Sequence, residues 1–289
     1  KISMPLDPQG HYQGLGLILA PDGTIYASQQ TIISKSTDGG QTWEHLKRDP
    51  AAFGFNGWLL QVSQEGQLVN VNQDGEEGPV TVWVSSDEGG KWEQICQIDV
   101  TPFQKTVVGN SLTRLSDGTL VLPIKRRDQP FYEGTNPTYT FRSSDGGHTF
   151  PQRSFLSDYG NEVNITELCP ERLLAVIRYQ PGPTDQPQTN KTVFLADSVD
   201  SGLTWENLRQ LTSVHGQCHG AAIGLSGNRI VVAYDHRYPR ELGTGRAMIS
   251  YDNGKSWQDE VYYLCHGDVA GFPRHITLDG REILTFIGS

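Results

Sequence analysis

The chain has 289 residues, 32 of them glycine and 16 proline, with only 19% charged and 36% hydrophobic residues, which suits many short strands and turns better than a helical bundle. A formal net charge of −10 repels a phosphate backbone and argues against nucleic acid as a partner. No apolar run approaches the roughly 20 residues of a membrane-spanning helix, so no membrane partner is expected.

In chain order, two signatures alternate. The first is a hairpin: an apolar anchor, a short turn usually holding glycine, then an apolar run. It occurs at Leu19 (before Pro21-Asp22-Gly23), Val62 (before Glu65-Gly66), Leu115 (before Asp117-Gly118), Leu168 (before Pro170-Glu171), Leu225 (before Gly227-Asn228) and Leu278 (before Asp279-Gly280). The second is Ser-x-Asp-x-Gly-x-Thr-Trp, an Asp-box, at Ser36–Trp43, Ser85–Trp92, Ser143–Phe150, Ser198–Trp205 and Ser250–Trp257. Serine and aspartate side chains bond nearby backbone N–H groups in a tight turn, glycine accepts positive φ, and the aromatic packs inward over the turn. The boxes recur about every 50 residues, a propeller-blade period. Each blade thus reads strand, turn, strand, loop, strand, box, strand. The expected fold is all-β: one domain over 1–289, a six-bladed β-propeller of four-stranded antiparallel blades. The last blade reaches only its second strand before Ser289, so residues from Lys1 to Pro8 are expected to lend it an outer strand and the natural chain to continue beyond Ser289.

Cys96, Cys169, Cys218 and Cys265 form no C-x-x-C pair and are expected as free thiols. Asn164 and Asn190 each head an N-x-T sequon, with Asn164 in a strand-like run that makes a poor acceptor. His215-Gly-Gln-Cys-His219 matches no familiar zinc spacing, and neither metal nor cofactor is expected.

The anchors align the blades with one another. Six residues before them, near the start of each inner strand, stand Gln13, Asn56, Gly109, Glu162, His219 and Phe272. At the end of the second strands stand Gln30, Gln73, Lys125, Arg178, Asp235 and Gly288. Both rings fall at the end of the propeller opposite the Asp-boxes, around the central channel, where Glu162, Arg178, His219, Asp235 and Lys125 converge on one concave face. Polar residues at strand ends are equally consistent with simple solvation, and it is the convergence that favours a site. Arg126, Arg127, Arg237, Arg240, Arg246 and Arg274 fall at the same end, giving a basic mouth on an acidic protein that suits a carboxylate or sulfate; about half of these arginines are expected to pair only with protein acids.

With boxes, hairpins and register together, the chain resembles the sialidase superfamily, whose members are six-bladed propellers carrying these boxes. The segment from Asn161-Glu162 to Arg178 resembles the sialidase stretch in which a glutamate on an inner strand precedes an arginine of the carboxylate-binding triad. The resemblance implies that Glu162 polarises the nucleophile and Arg178 clamps the substrate anion, with Arg240 or Arg246 as a second triad arginine. Three positions depart from the pattern. Gln13 replaces the first triad arginine, Phe272 stands where the nucleophilic tyrosine belongs, and Ser28–Ser34 lacks the usual acid/base aspartate. The expectation is a secreted or periplasmic, exo-acting glycoside hydrolase for an anionic oligosaccharide or polysaccharide. Its catalytic set is Glu162, Asp235 and His219, and its binding set is Arg178, Arg240, Arg246, Lys125, Arg237, Gln13 and Phe272. A non-catalytic glycan- or protein-binding propeller and a polysaccharide lyase are the alternatives.

Overall fold

A computed structural model describes residues 15–29, 32–46, 59–127, 137–181, 191–237, 243–258, 261–266 and 271–288. Gln13, Gln30, Asn56, Arg240, Asn190 and the segment Lys1 to Pro8 lie outside the described residues. Blade one is β1 (Leu15–Leu19), β2 (Ile25–Gln29), β3 (Ile32–Ser36) and β4 (Glu44–Leu46), an antiparallel meander in that order. Blade two repeats it with β5 (Leu60–Val62), β6 (Leu68–Gln73), β7 (Val80–Ser85) and β8 (Glu93–Gln97). In blade three the inner strand is split into β9 (Thr106–Val108) and β10 (Thr113–Arg114), both paired with β11 (Leu120–Arg126), followed by β12 (Thr138–Ser143) and β13 (Gln152–Ser157). Blade four is β14 (Gly160–Cys169), β15 (Arg172–Tyr179), β16 (Thr192–Ser198) and β17 (Glu206–Gln210). Blade five is β18 (Gln217–Leu225), β19 (Arg229–His236), β20 (Thr244–Ser250) and β21 (Tyr262–His266), and blade six has β22 (Gly271–Ile276) and β23 (Leu284–Gly288).

The buried apolar side chains fall into clusters, each lying between two successive blades. Val69, Val71, Val82 and Leu122, Phe141 join blades two and three; Leu174, Val176, Leu195 and Ile230, Val232, Tyr234 join blades four and five. Leu17, Ile25 and Trp43 pack against Ile276, Leu284 and Phe286, so blade six closes the ring onto blade one. Alternation along each second strand sends one set of apolar residues to each neighbouring blade, which is why these strands read as continuous apolar runs. Inner strands are further tied across blades, as where Thr113 Oγ1 donates to Ile165 O (2.7 Å) and Thr166 Oγ1 to Ala222 O (2.8 Å).

Every Asp-box joins the third strand of its blade to the fourth or, in blade five, follows the third strand. In the first, Ser36 Oγ accepts from Gly40 N (2.9 Å) and donates to Asp38 Oδ1 (2.8 Å), while Asp38 accepts from Thr42 N (2.9 Å) and Thr42 Oγ1 (2.5 Å). Trp43 Nε1 closes the turn on Gly40 O at 3.0 Å. The serine–aspartate–glycine core recurs in the other four boxes. The cysteines are all free thiols, and Asn164 is buried within β14.

Candidate active site

Three inner strands carry a β-bulge near their first residue, at Gly160/Val163, Cys218/Ala221 and Gly271/Arg274. A bulge inserts an extra residue and re-aims its side chain. Inside these bulges sit Glu162, His219 and Phe272, the last two at positive φ (47° and 59°), a conformation costly for residues with a Cβ. The gap between β9 and β10 opens at the equivalent Gly109. The bulged positions are therefore the structural counterpart of the register six residues before each anchor.

The three side chains meet the ends of the neighbouring second strands. Arg178 Nη1 donates to both oxygens of Glu162 at 2.7 Å, and the same Nη1 lies 3.0 Å from His219 Nε2. His219 Nδ1 reaches the two oxygens of Asp235 at 3.1 and 3.0 Å, and its Nε2 stands 3.6 Å from Glu162 Oε1. Arg237 Nε donates to Asp235 Oδ2, and the ring of Phe272 lies on the imidazole with centroids 4.1 Å apart. Gly271 makes this closeness possible: a Cβ on it would stand 2.5 Å from Asp235 Oδ2. Lys125 Nζ donates to Asn161 Oδ1 beside Glu162.

Exposure separates the two carboxylates. Asp235 is 0% exposed, whereas the Glu162 side chain keeps 23%. Asp235 thus has no open surface for a substrate and meets the site only through His219 and Arg237. Burial alone would raise the Glu162 carboxyl, but Arg178, His219 and Lys125 outweigh it and hold the group well below the usual carboxylate range. Asp235 is likewise lowered, since His219 and Arg237 overcome its burial. The imidazole moves the other way. Burial opposes its charge, yet Cys218, Asp235 and Glu162 around it raise it to about 10. Lys125 is pushed down to about 8 by burial, against the pull of Glu162.

Arg246 does not join this group. It lies on β20, the third strand of blade five, in register with Tyr234 and Tyr263, its guanidinium 5.2 Å above the Tyr263 ring and its Nε on Thr244 Oγ1. The guanidinium that stands with Arg178 is that of Arg237. Arg127 pairs with Glu76, Arg126 lies over Phe103, and Arg274 turns into the central channel. Cys218, His219 and Asp235 bring donor atoms within 4.8 Å of one another, but His219 Nδ1 is spent on Asp235 and Arg237 already covers the carboxylate. A guanidinium in that place disfavours a metal cation.

Several contributors escape the ring alignment. Gln180 accepts from Arg178 Nη2 (3.0 Å), and Asn161 Nδ2 reaches the same Oε1 at 3.4 Å. Lys191, half-buried, is lowered first by burial and then by Arg178 and Arg237 nearby. The missed signal is a step of two: Gln180 follows Arg178 by two residues, as Arg237 of the expected binding set follows Asp235, the spacing that puts side chains on one face of a strand.

Residues 67–279 match the family model described as a BNR repeat-like domain. No curated protein sequence matches the chain. Among solved structures, a protein of unknown function from Dyadobacter fermentans is 17% identical with a TM-score of 0.70, over 98% of this chain and 92% of that one. A Hadza microbial sialidase is 16% identical with a TM-score of 0.66, over 96% of this chain and 63% of that one. An α-L-arabinanase of Penicillium chrysogenum, complexed with arabinobiose, is 16% identical with a TM-score of 0.64, over 93% and 86%. At these identities the likeness is one of fold.

Proposed function

This chain belongs to the BNR repeat-like domain family, within the sialidase-like superfamily, and on that footing we propose that it is a glycoside hydrolase acting on an anionic glycan. The observation that carries the reading is the placement of one imidazole. His219 stands between Asp235 on Nδ1 and Glu162 beyond Nε2, in a mouth where Arg178, Arg237, Lys125 and Lys191 outnumber the two carboxylates. Both named hydrolases with this fold support glycoside hydrolysis, and the cationic mouth supports the anionic substrate.

The two titrations are pushed apart, which is how neighbouring groups divide acid from base. Glu162, ionised, serves as the base that activates water or another nucleophile. His219 accepts from Arg178 through Nε2 in the resting site; once substrate draws that guanidinium away, the ring held by Asp235 carries a proton on Nε2 and gives it, as the acid, to the departing glycosidic oxygen. Asp235 touches no substrate and acts through His219, fixing its tautomer and stabilising the imidazolium, as the buried carboxylate of a hydrolytic triad does. Phe272 has no hydroxyl to attack with. Its ring instead walls the imidazole and leaves the chemistry to Glu162 and His219. In the resting site Arg178 is held by Glu162; a substrate carboxylate or sulfate competes for that fork, frees Nε2 of His219 from the guanidinium, and is met on its other side by Arg237 and Lys191. Arg240 and Gln13 belong to the same proposed clamp. A sialylated, uronate-containing or sulfated glycan processed outside the cytoplasm, from a chain end, satisfies this inventory.

Phe272 also favours a second reading, a non-catalytic glycan-binding propeller. Incubation with a panel of sialylated, uronic-acid and sulfated oligosaccharides separates the two, with product release and binding measured side by side. Release of reducing sugar from an anionic member is expected. Binding without release would assign the protein to the second reading, and a product absorbing in the ultraviolet would reveal elimination by a lyase.

A further inference from the structure

Beneath the candidate active site the channel holds a charge that the site does not use. Four residues before the anchors, one step of two below the bulged ring, the inner strands place Ser111, Asn164, Ala221 and Arg274 on a cavity of about 280 Å3 lined by the first strands of all six blades. Arg274 is only 8% exposed. Its Nη1 donates to Pro273 O (2.9 Å), and its Nη2 crosses the channel from blade six to blade three to reach Asn110 O at 2.6 Å. Carbonyl dipoles are its only partners among the described residues, and no carboxylate there pairs with it. Burial alone acts on its titration, lowering it to about 10, so the guanidinium remains charged at neutral pH. A buried cation without a counter-charge is among the costlier things a fold can hold.

Two neighbours on that level have a proton to give. Asn164, 8% exposed, makes no side-chain hydrogen bond among the described residues and lines the cavity. Ser111 Oγ accepts from Ile165 N (3.1 Å), which leaves its own proton to give. Thr113 and Thr166, one step deeper, spend their hydroxyls on the carbonyls of Ile165 and Ala222. The free capacity around the guanidinium thus includes the Ser111 proton and the Asn164 amide N–H, with Ala221 on the same level of the cavity.

We propose that the channel binds one small monovalent inorganic anion, of the halide class, between Arg274, Ser111 and Asn164. A single positive charge matches a single negative one. The ion neutralises the floor under Glu162 and His219 and ties blades three, four and six to a common centre.

Crystals of the full chain grown in sodium bromide test this directly. An anomalous bromide peak within hydrogen-bond reach of Arg274, Ser111 and Asn164 is expected. In solution, the melting temperature in chloride is expected to exceed that in gluconate of equal ionic strength by about 5 °C once the halide stands near a hundred times its dissociation constant. Arg274→Met is expected to abolish the difference. Should that variant fail to fold, Asn164→Val serves, with half-saturation moved to about tenfold higher chloride for one lost ion contact. Bromide only at other positions in the wild type, or equal melting in chloride and gluconate, would overturn the proposal. Neither measurement depends on whether the mouth above is catalytic.

Discussion

His219 is the residue on which the site turns, and its environment is built from opposed charges. Asp235 holds Nδ1 while Glu162 stands beyond Nε2, and Cys218 together with these carboxylates outweighs the burial that opposes a charge on the ring. With Glu162 as base and His219 as acid, the reaction needs the first ionised and the second protonated. Activity should then be lost as pH falls through the depressed titration of Glu162, below the ordinary 4.5, and again as pH rises through about 10. Asp235→Asn removes a cause of the raised imidazole and leaves the carboxylate of Glu162 in place. We expect kcat to drop by about 10²–10⁴-fold, with the alkaline limb of its pH profile moving down toward 6.5. A rate loss with the limb unmoved would mean that Asp235 serves only packing.

Blades one to five are each written twice in the chain, once as a hairpin and once as a box, because both are local structures whose hydrogen bonds close within a few residues. That is why the order of strands was legible in the sequence. The box also depends on one buried hydroxyl. Ser143, 0% exposed, donates to Asp145 Oδ1 (2.7 Å) and accepts from Gly147 N (2.9 Å), where Gly147 has φ of 100° and a Cβ would press on Val82. Ser143→Ala strands that buried N–H, and chemical denaturation should show a loss of about 1–3 kcal/mol with the mouth unaffected. An unchanged stability would show that water or a shifted turn replaces the serine. The split of β9 from β10 was not legible, since a break in strand pairing around Gly109 leaves no distinct residue pattern. Nor was the fate of Arg246: its distance along the chain from Asp235 does not reveal that it sits on a third strand, facing Tyr263.

Across the whole molecule, the propeller gathers residues more than a hundred positions apart. Lys125, Glu162, Arg178, His219, Asp235 and Phe272 come from blades three to six, and a common offset from the hairpin anchors makes them readable as a group before any coordinates. The contacts among them were not readable. That Asp235 is sealed and Glu162 open, that Arg237 rather than Arg246 stands with Arg178, and that Gln180 and Lys191 take part all depend on bulges and on side-chain directions. An acidic protein with a mouth rich in cations concentrates its attraction for an anion at one place. The central claim, that this mouth is catalytic through Glu162, is tested most directly by the turnover of Glu162→Gln on an anionic glycan cleaved by the wild type. The account predicts a fall in kcat of about 10²–10⁴-fold with binding kept or tightened, because Arg178 is released to the substrate. Wild-type turnover in that variant would contradict it.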